Sequence, residues 1–163
     1  MKIAIYGSGG VGGYFGARLA AAGNEVHFLA RGAHLRAMRE QGLRVESALG
    51  NLQIKVLAHE RPEEIGAVDY VVFAVKLADV ESAAERLRPL LHERTLVLCF
   101  QNGVEAPETV ARVIGAQHAR SELLGRFVYL RCCRAGARRR GAVEEDRLAP
   151  VSEPRPQVHG GRA

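Results

Sequence analysis

The chain has 163 residues, 47 % hydrophobic and 25 % charged, enough for one domain with a sizeable core and ordinary for a globular protein. No run approaches the roughly eighteen apolar residues of a membrane span. Met1-Lys2 leads straight into a strand pattern rather than a secretory leader, so the expected compartment is the cytoplasm. The net charge of +5 does not point to nucleic acid: residues 131–163 carry eight arginines against four acids, while residues 1–130 hold fifteen basic and fourteen acidic side chains. Cys99, Cys132 and Cys133 have no metal-ligand spacing and form no disulfide framework, which fits a reducing compartment.

Lys2–Tyr6 (KIAIY) is a short apolar, β-branched run that reads as a buried strand. It runs into Gly7, Ser8, Gly9, Gly10, Val11, Gly12 and Gly13, and the pattern over residues 11–22 predicts a helix. Strand, glycine turn and helix together give G-x-G-x-x-G the meaning of dinucleotide binding. Gly7 allows the tight turn, Gly9 lets the backbone approach a pyrophosphate, and Gly12 lets the helix lie close to the strand. The pyrophosphate would sit on the unpaired N–H groups at the helix N-terminus. The plain alternative is a glycine turn that serves packing only.

Gly23-Asn24 closes that helix, and residues 25–30 form the second strand. A short helix over 32–40 ends at Gln41-Gly42. Residues 43–47 and 52–57 alternate apolar and polar positions around Gly50-Asn51, a hairpin signal. Pro62 opens a short helical turn. Residues 70–75 are nearly all apolar, as in a strand buried on both faces. A helix over 79–91 places Val80, Ala83, Ala84, Leu87 and Leu91 on one face; a strand over 96–100 and a helix over 105–114 follow. The expected fold is α/β, a Rossmann-like, doubly wound and mostly parallel sheet, with its ligand crevice at the carboxyl ends of the strands.

Those ends carry the candidate site residues. Arg31 stands nineteen positions beyond Gly12, where an Asp or Glu would meet a free ribose hydroxyl. A guanidinium suits a 2′-phosphate instead, so the expected cofactor is NADP(H); the alternative is an ordinary surface arginine. Lys76, one of three lysines with Lys2 and Lys55, follows the 70–75 strand and is placed to contact ribose or a substrate carboxylate, or is a solvated strand end. Asn102, in Gln101-Asn102-Gly103, offers a donor and an acceptor beside a nicotinamide amide or a keto acid, or is a plain turn. Cys99 reads as a small core hydrophobe, His27 as a sheet residue, and the histidines show neither metal spacing nor a Ser-His-Asp set.

The GSGGVGG turn, Arg31 in FLARGAHL, FAVK ending at Lys76 and CFQNGV around Asn102 resemble, in order and spacing, the NADP-binding half of ketopantoate reductase (2-dehydropantoate 2-reductase) over residues 1–130. Leu123–Leu130 resembles the glycine-containing strand that follows there. The resemblance implies NADPH-dependent reduction of 2-dehydropantoate to pantoate, on the way to coenzyme A. It implies that Arg31 holds the 2′-phosphate, and that Lys76 and Asn102 line the cofactor and substrate site, with Asn102 orienting substrate and nicotinamide. It also implies a second, helical domain that supplies a lysine as general acid and a carboxylate that holds the substrate.

Here no lysine follows Lys76, and residues 131–163 are an Arg/Gly/Pro-rich mixture without useful periodicity. That stretch is expected to be a disordered tail, from a shifted reading frame near residue 131 or a natural shortening. Other readings of the chain are a non-catalytic NADP-binding module or remnant, a fragment of a related NADP-dependent hydroxy-acid dehydrogenase, and a basic-tail interaction protein. The expected partner is a small 2-keto acid, with neither nucleic acid nor membrane.

Overall fold

β1 (Lys2–Tyr6) alternates its side chains between two cores: Ile3 and Ile5 face one, Ala4 and Tyr6 the other. A strand apolar on both faces belongs inside a parallel sheet covered on both sides. The computed structural model, which describes residues 1–101 and 105–121, puts it there. β1 pairs in parallel with β2 (Glu25–Leu29) on one side and β6 (Tyr70–Phe73) on the other. β5 (Leu57–His59), β7 (Leu96–Cys99) and β8 (Ala119–Ser121) extend a six-stranded sheet in the order β5-β2-β1-β6-β7-β8. Every pairing in it is parallel. The chain winds outward from β1 through β2 to β5, then returns to β1 and winds the other way, so the order reverses between β1 and β6. That reversal opens a crevice at the strand ends.

α1 (Gly10–Ala21) and α2 (Gly32–Gln41) cover one face, where Tyr14, Ala17, Leu35 and Met38 pack on Ile3, Ile5, Val26 and Phe28. Phe28 is fully buried, worth about 1.5–3 kcal/mol of apolar transfer. α1 sits this low because Gly16 has no side chain: a Cβ there would lie 2.5 Å from Phe28 Cε1 and 2.8 Å from Ile5 Cγ1. α3 (Val80–Ala84) and α4 (Glu105–Ile114) cover the opposite face with Val80, Ala83, Ala84, Ala106 and Val110. Cys99 is buried among them, and desolvation pushes its thiol up to about 11, so it behaves as a hydrophobe. No helix among the described residues is long and apolar enough to cross a membrane.

Three elements differ from expectation. The 52–57 strand divides: β3 (Leu43–Val45) and β4 (Leu52–Ile54) make the hairpin, and the chain then leaves it to form β5 beside β2. Gly42, at φ +74°, lies at the open end of the hairpin, where a Cβ would overlap the Ile54 carbonyl oxygen, and beyond it the chain pairs with the edge of β2. The 79–91 helix is broken into a 3₁₀ turn at Leu77–Asp79, the short α3, and a 3₁₀ segment at Glu85–Leu90. Pro89 has no N–H for the Glu85 carbonyl, so an α-helix cannot continue through it. Val80, Ala83, Ala84 and Leu87 still reach the core, but Leu90 rather than Leu91 is the buried terminal leucine. β8 was not expected, because a three-residue strand containing Arg120 has no apolar pattern. Asn102, Leu123–Leu130, Cys132, Cys133 and the 131–163 tail lie outside the described residues.

Candidate functional site

β1 delivers the chain to Gly7 at the mouth of the crevice. Gly7 has φ +105°, and a Cβ on it would lie 2.7 Å from the carbonyl carbon and oxygen of Ala74 and 2.8 Å from Val75 N. The turn is thus pressed against the chain leaving β6, across the reversal of strand order. At Gly12 a Cβ would overlap the Gly7 carbonyl oxygen and approach Ile5 Cγ2 to 3.0 Å, so a glycine lets α1 start this close to β1. Gly9 is unlike both. Its backbone is extended (φ −79°, ψ −155°), and nothing lies within 4 Å of where its Cβ would be. Packing does not require a glycine there, and the space beside it is open.

Gly9 is also the N-cap of α1, with no side chain capping the helix and no acid in its first turn. The first amides, those of Gly10, Val11 and Gly12, have no intrahelical acceptor and form the positive end of the helix dipole. Ser8 is buried, and its hydroxyl donates to the Leu29 carbonyl at 2.7 Å. Its side chain ties the turn to the end of β2. His34, on the first turn of α2, braces the same residue from outside: Nε2 donates to the Ser8 carbonyl at 2.8 Å. With that nitrogen carrying the proton, Nδ1 is a buried acceptor without a partner among the described residues.

A cavity of about 810 Å³ opens over the turn, within the range of small-molecule sites, roughly 300–1,000 Å³. Gly7, Ser8, Gly9, Arg31 and Lys76 line it, whereas Gly10, Val11 and Gly12, in the first turn of α1, do not. Arg31 caps α2, and Lys76 follows β6 on extended backbone. Both are exposed, and neither enters any ion pair found among the described residues. Asn102 lies outside the described residues, but its neighbour is placed: Gln101 Nε2 donates to the Val75 carbonyl at 3.2 Å, tying the chain after β7 to the chain before Lys76. Gln101 Oε1 is buried without a partner among the described residues.

His34, Glu60, Asp79 and Arg86 also line the cavity, and sequence reasoning did not find them. For His34 the signal was its place three residues beyond Arg31. For Glu60 there was none, because β5 begins where the expected 52–57 strand ended and was not recognised as a strand of its own. Asp79 and Arg86 fell within the expected 79–91 helix, of which only the apolar face was singled out. The arrangement suits an extended anionic ligand: unpaired amides in the middle, a guanidinium at one end and an ammonium at the other.

A model of the family described as ketopantoate reductase PanE/ApbA matches residues 3–144. A 2-dehydropantoate 2-reductase from Mesorhizobium japonicum is 44 % identical over 105 residues, 64 % of this chain and 32 % of that protein. The solved structure of a PanE/ApbA family ketopantoate reductase from Ralstonia eutropha JMP134 superposes with a TM-score of 0.67 at 43 % identity, covering 71 % of this chain and 39 % of that one. A D-mandelate dehydrogenase, solved with NADH and anilino(oxo)acetate, superposes with a TM-score of 0.63 at 29 % identity, covering 70 % of this chain and 38 % of that one. The chain therefore spans between about a third and two-fifths of the length of these proteins. The matched stretch runs through the glycine turn, Arg31 and Lys76 and continues past the last described strand, and on that ground the chain belongs to the ketopantoate reductase family.

Proposed function

We propose that this chain is the cofactor-binding half of an NADPH-dependent 2-dehydropantoate 2-reductase, with residues 1–130 as the binding unit and residues 131–163 as an extension outside it. One observation carries the reading: an unobstructed glycine turn at a helix N-terminus shares its cavity with an unpaired arginine. The open space at Gly9 is what a pyrophosphate needs, since its oxygens must come within hydrogen-bond distance of main-chain amides. The amides of Gly10, Val11 and Gly12 hold its charge, and Ser8 and His34 keep the turn in shape. Arg31 receives the 2′-phosphate in a bidentate, charge-assisted contact. Lys76 meets ribose or the substrate carboxylate, and Asn102 orients the substrate carbonyl and the nicotinamide.

The reduced nicotinamide, when bound, supplies a hydride to the substrate ketone. The alkoxide so formed needs a proton, and an amide such as Asn102 is no acid for that task. Lys76 stands on the cofactor side, and the sequence holds no lysine beyond it. Binding is therefore the function that these 163 residues carry most directly. The test is equilibrium titration of the chain with NADPH and with NADH, read by nicotinamide fluorescence. NADPH binds more tightly, and Arg31→Ala weakens it by roughly one to two decades, as a lost charged hydrogen bond of about 1.5–3 kcal/mol requires. Equal affinity for NADPH in the parent and the variant would remove Arg31 from the 2′-phosphate.

A further inference from the structure

The end of β2 has no acid, but the fold brings one to it from the neighbouring strand. Leu29 and His59 are register partners, and Ala30 N–H donates to the His59 carbonyl at 3.0 Å. The chains leaving β2 and β5 thus enter the cavity side by side, one with Arg31, the other with Glu60. Both residues are exposed and line the cavity. They do not pair with each other, and Arg61, next to Glu60 in the chain, and Arg39 both turn to Glu64 instead. The other charged residues of the cavity, Lys76, Asp79 and Arg86, come from the opposite side, after β6 and along the α3 segment. Among the described residues, the formal charges on the β2–β5 side are therefore one guanidinium and one carboxylate without an ion-pair partner.

We infer that Glu60 is a specificity-determining residue, acting against Arg31 at the ribose end of the cofactor site. The inference rests on reading the cavity as an NADP(H) site. A carboxylate accepts hydrogen bonds from a free ribose hydroxyl, the task an acid at the end of the second strand performs in NAD-binding sheets. The same charge repels a 2′-phosphate, through a Coulomb interaction that salt screens. Arg31 favours the phosphate and Glu60 favours its absence, so the site discriminates between NADPH and NADH less than its arginine alone would. Two strands divide between them a choice that a single residue after β2 usually makes.

The test compares NADPH and NADH dissociation constants for the full 163-residue chain and for Glu60→Gln, in low salt and in about 0.5 M NaCl. The glutamine keeps the shape and an acceptor oxygen while removing the charge. In low salt Glu60→Gln tightens NADPH by about threefold to tenfold and weakens NADH by about threefold, and the NADPH gain shrinks in high salt. Changes of opposite sign for the two cofactors are the signature, because a merely structural role would move both together. Unchanged constants, or a parallel shift of both, overturn the role of Glu60 while leaving NADP(H) binding in place. Failure of the parent chain to bind either cofactor overturns the reading of the cavity itself, and this inference with it.

Discussion

Gly7 and Gly9 are two positions apart and are held by opposite constraints. Gly7 needs its hydrogen because the backbone is left-handed and the Ala74 carbonyl occupies the space of a side chain. Gly9 needs nothing from the protein around it. Gly7→Ala is therefore expected to destabilise the fold by about 2–4 kcal/mol, from a positive φ and a backbone collision together. Gly9→Ala costs at most about 1 kcal/mol as a poorer helix cap, yet on the proposed function it weakens NADPH at least tenfold, because the added methyl group would fill the open space proposed for the pyrophosphate. Chemical denaturation and cofactor titration on both variants check the pair; a Gly9→Ala protein that binds NADPH like the parent would deprive the turn of its ligand. The tight turn at Gly7 was legible in the sequence because a glycine between strand and helix marks it; the open space at Gly9 is what the structure adds. The role of the Ser8 hydroxyl was not legible, since it depends on the Leu29 carbonyl, twenty-one residues away in the chain.

Elements show the same division. β1, β2, α1, α2 and α4 carry strong periodicity and stand within a residue or two of where the sequence put them. The misjudged stretches are those where one local preference met a long-range one: residues 52–59, divided between a hairpin and the sheet, and residues 77–91, where Pro89 interrupts an amphipathic pattern. Gly16 went unnoticed because its reason is Phe28, on the next strand. Gly16→Ala gains helix propensity of up to about 1 kcal/mol but must push the Phe28 ring aside, and overpacking of about 1–3 kcal/mol wins. A melting temperature above the parent's would show that the contact yields more easily than this. At the other edge of the fold, β2 and β5 are joined by side chains as well as backbone. His27 Nε2 donates to Glu25 at 2.8 Å, and its Nδ1 shares a hydrogen bond with His59 Nε2 at 3.0 Å. Burial first, and then the neighbouring His27, holds His59 below its ordinary value of 6.5. The unfolded chain takes up this proton before the folded one does. Its contribution to stability is thus complete above about pH 6.5 and is lost as pH falls through the lowered folded value. Melting curves from pH 7.5 to 5.5 should fall more steeply for the parent than for His59→Gln; parallel curves would mean that the histidine titrates alike in both states.

At the scale of the whole molecule, the crevice is built but the chemistry needs more than a crevice. A purified 163-residue chain is expected to bind NADPH and to reduce 2-dehydropantoate at less than about a hundredth of the rate of a full-length relative. A positioned acid contributes about 10²–10⁴-fold, and closure around the substrate adds to it. Turnover within about tenfold of that relative, in a stopped assay with both proteins side by side, would mean that the proton donor is already among these residues. The contact between Gly7 and Ala74 also bears on when the cavity forms. One wall of the cavity is made at Gly7 and the other at Ala74, almost seventy residues further along the chain, so closing the cavity means closing a long loop. Non-local pairings of this kind form late, after the helices and the hairpin have had time to settle. On the proposed function, a nucleotide would meet a domain whose two windings have already joined, rather than template the first half of the sheet.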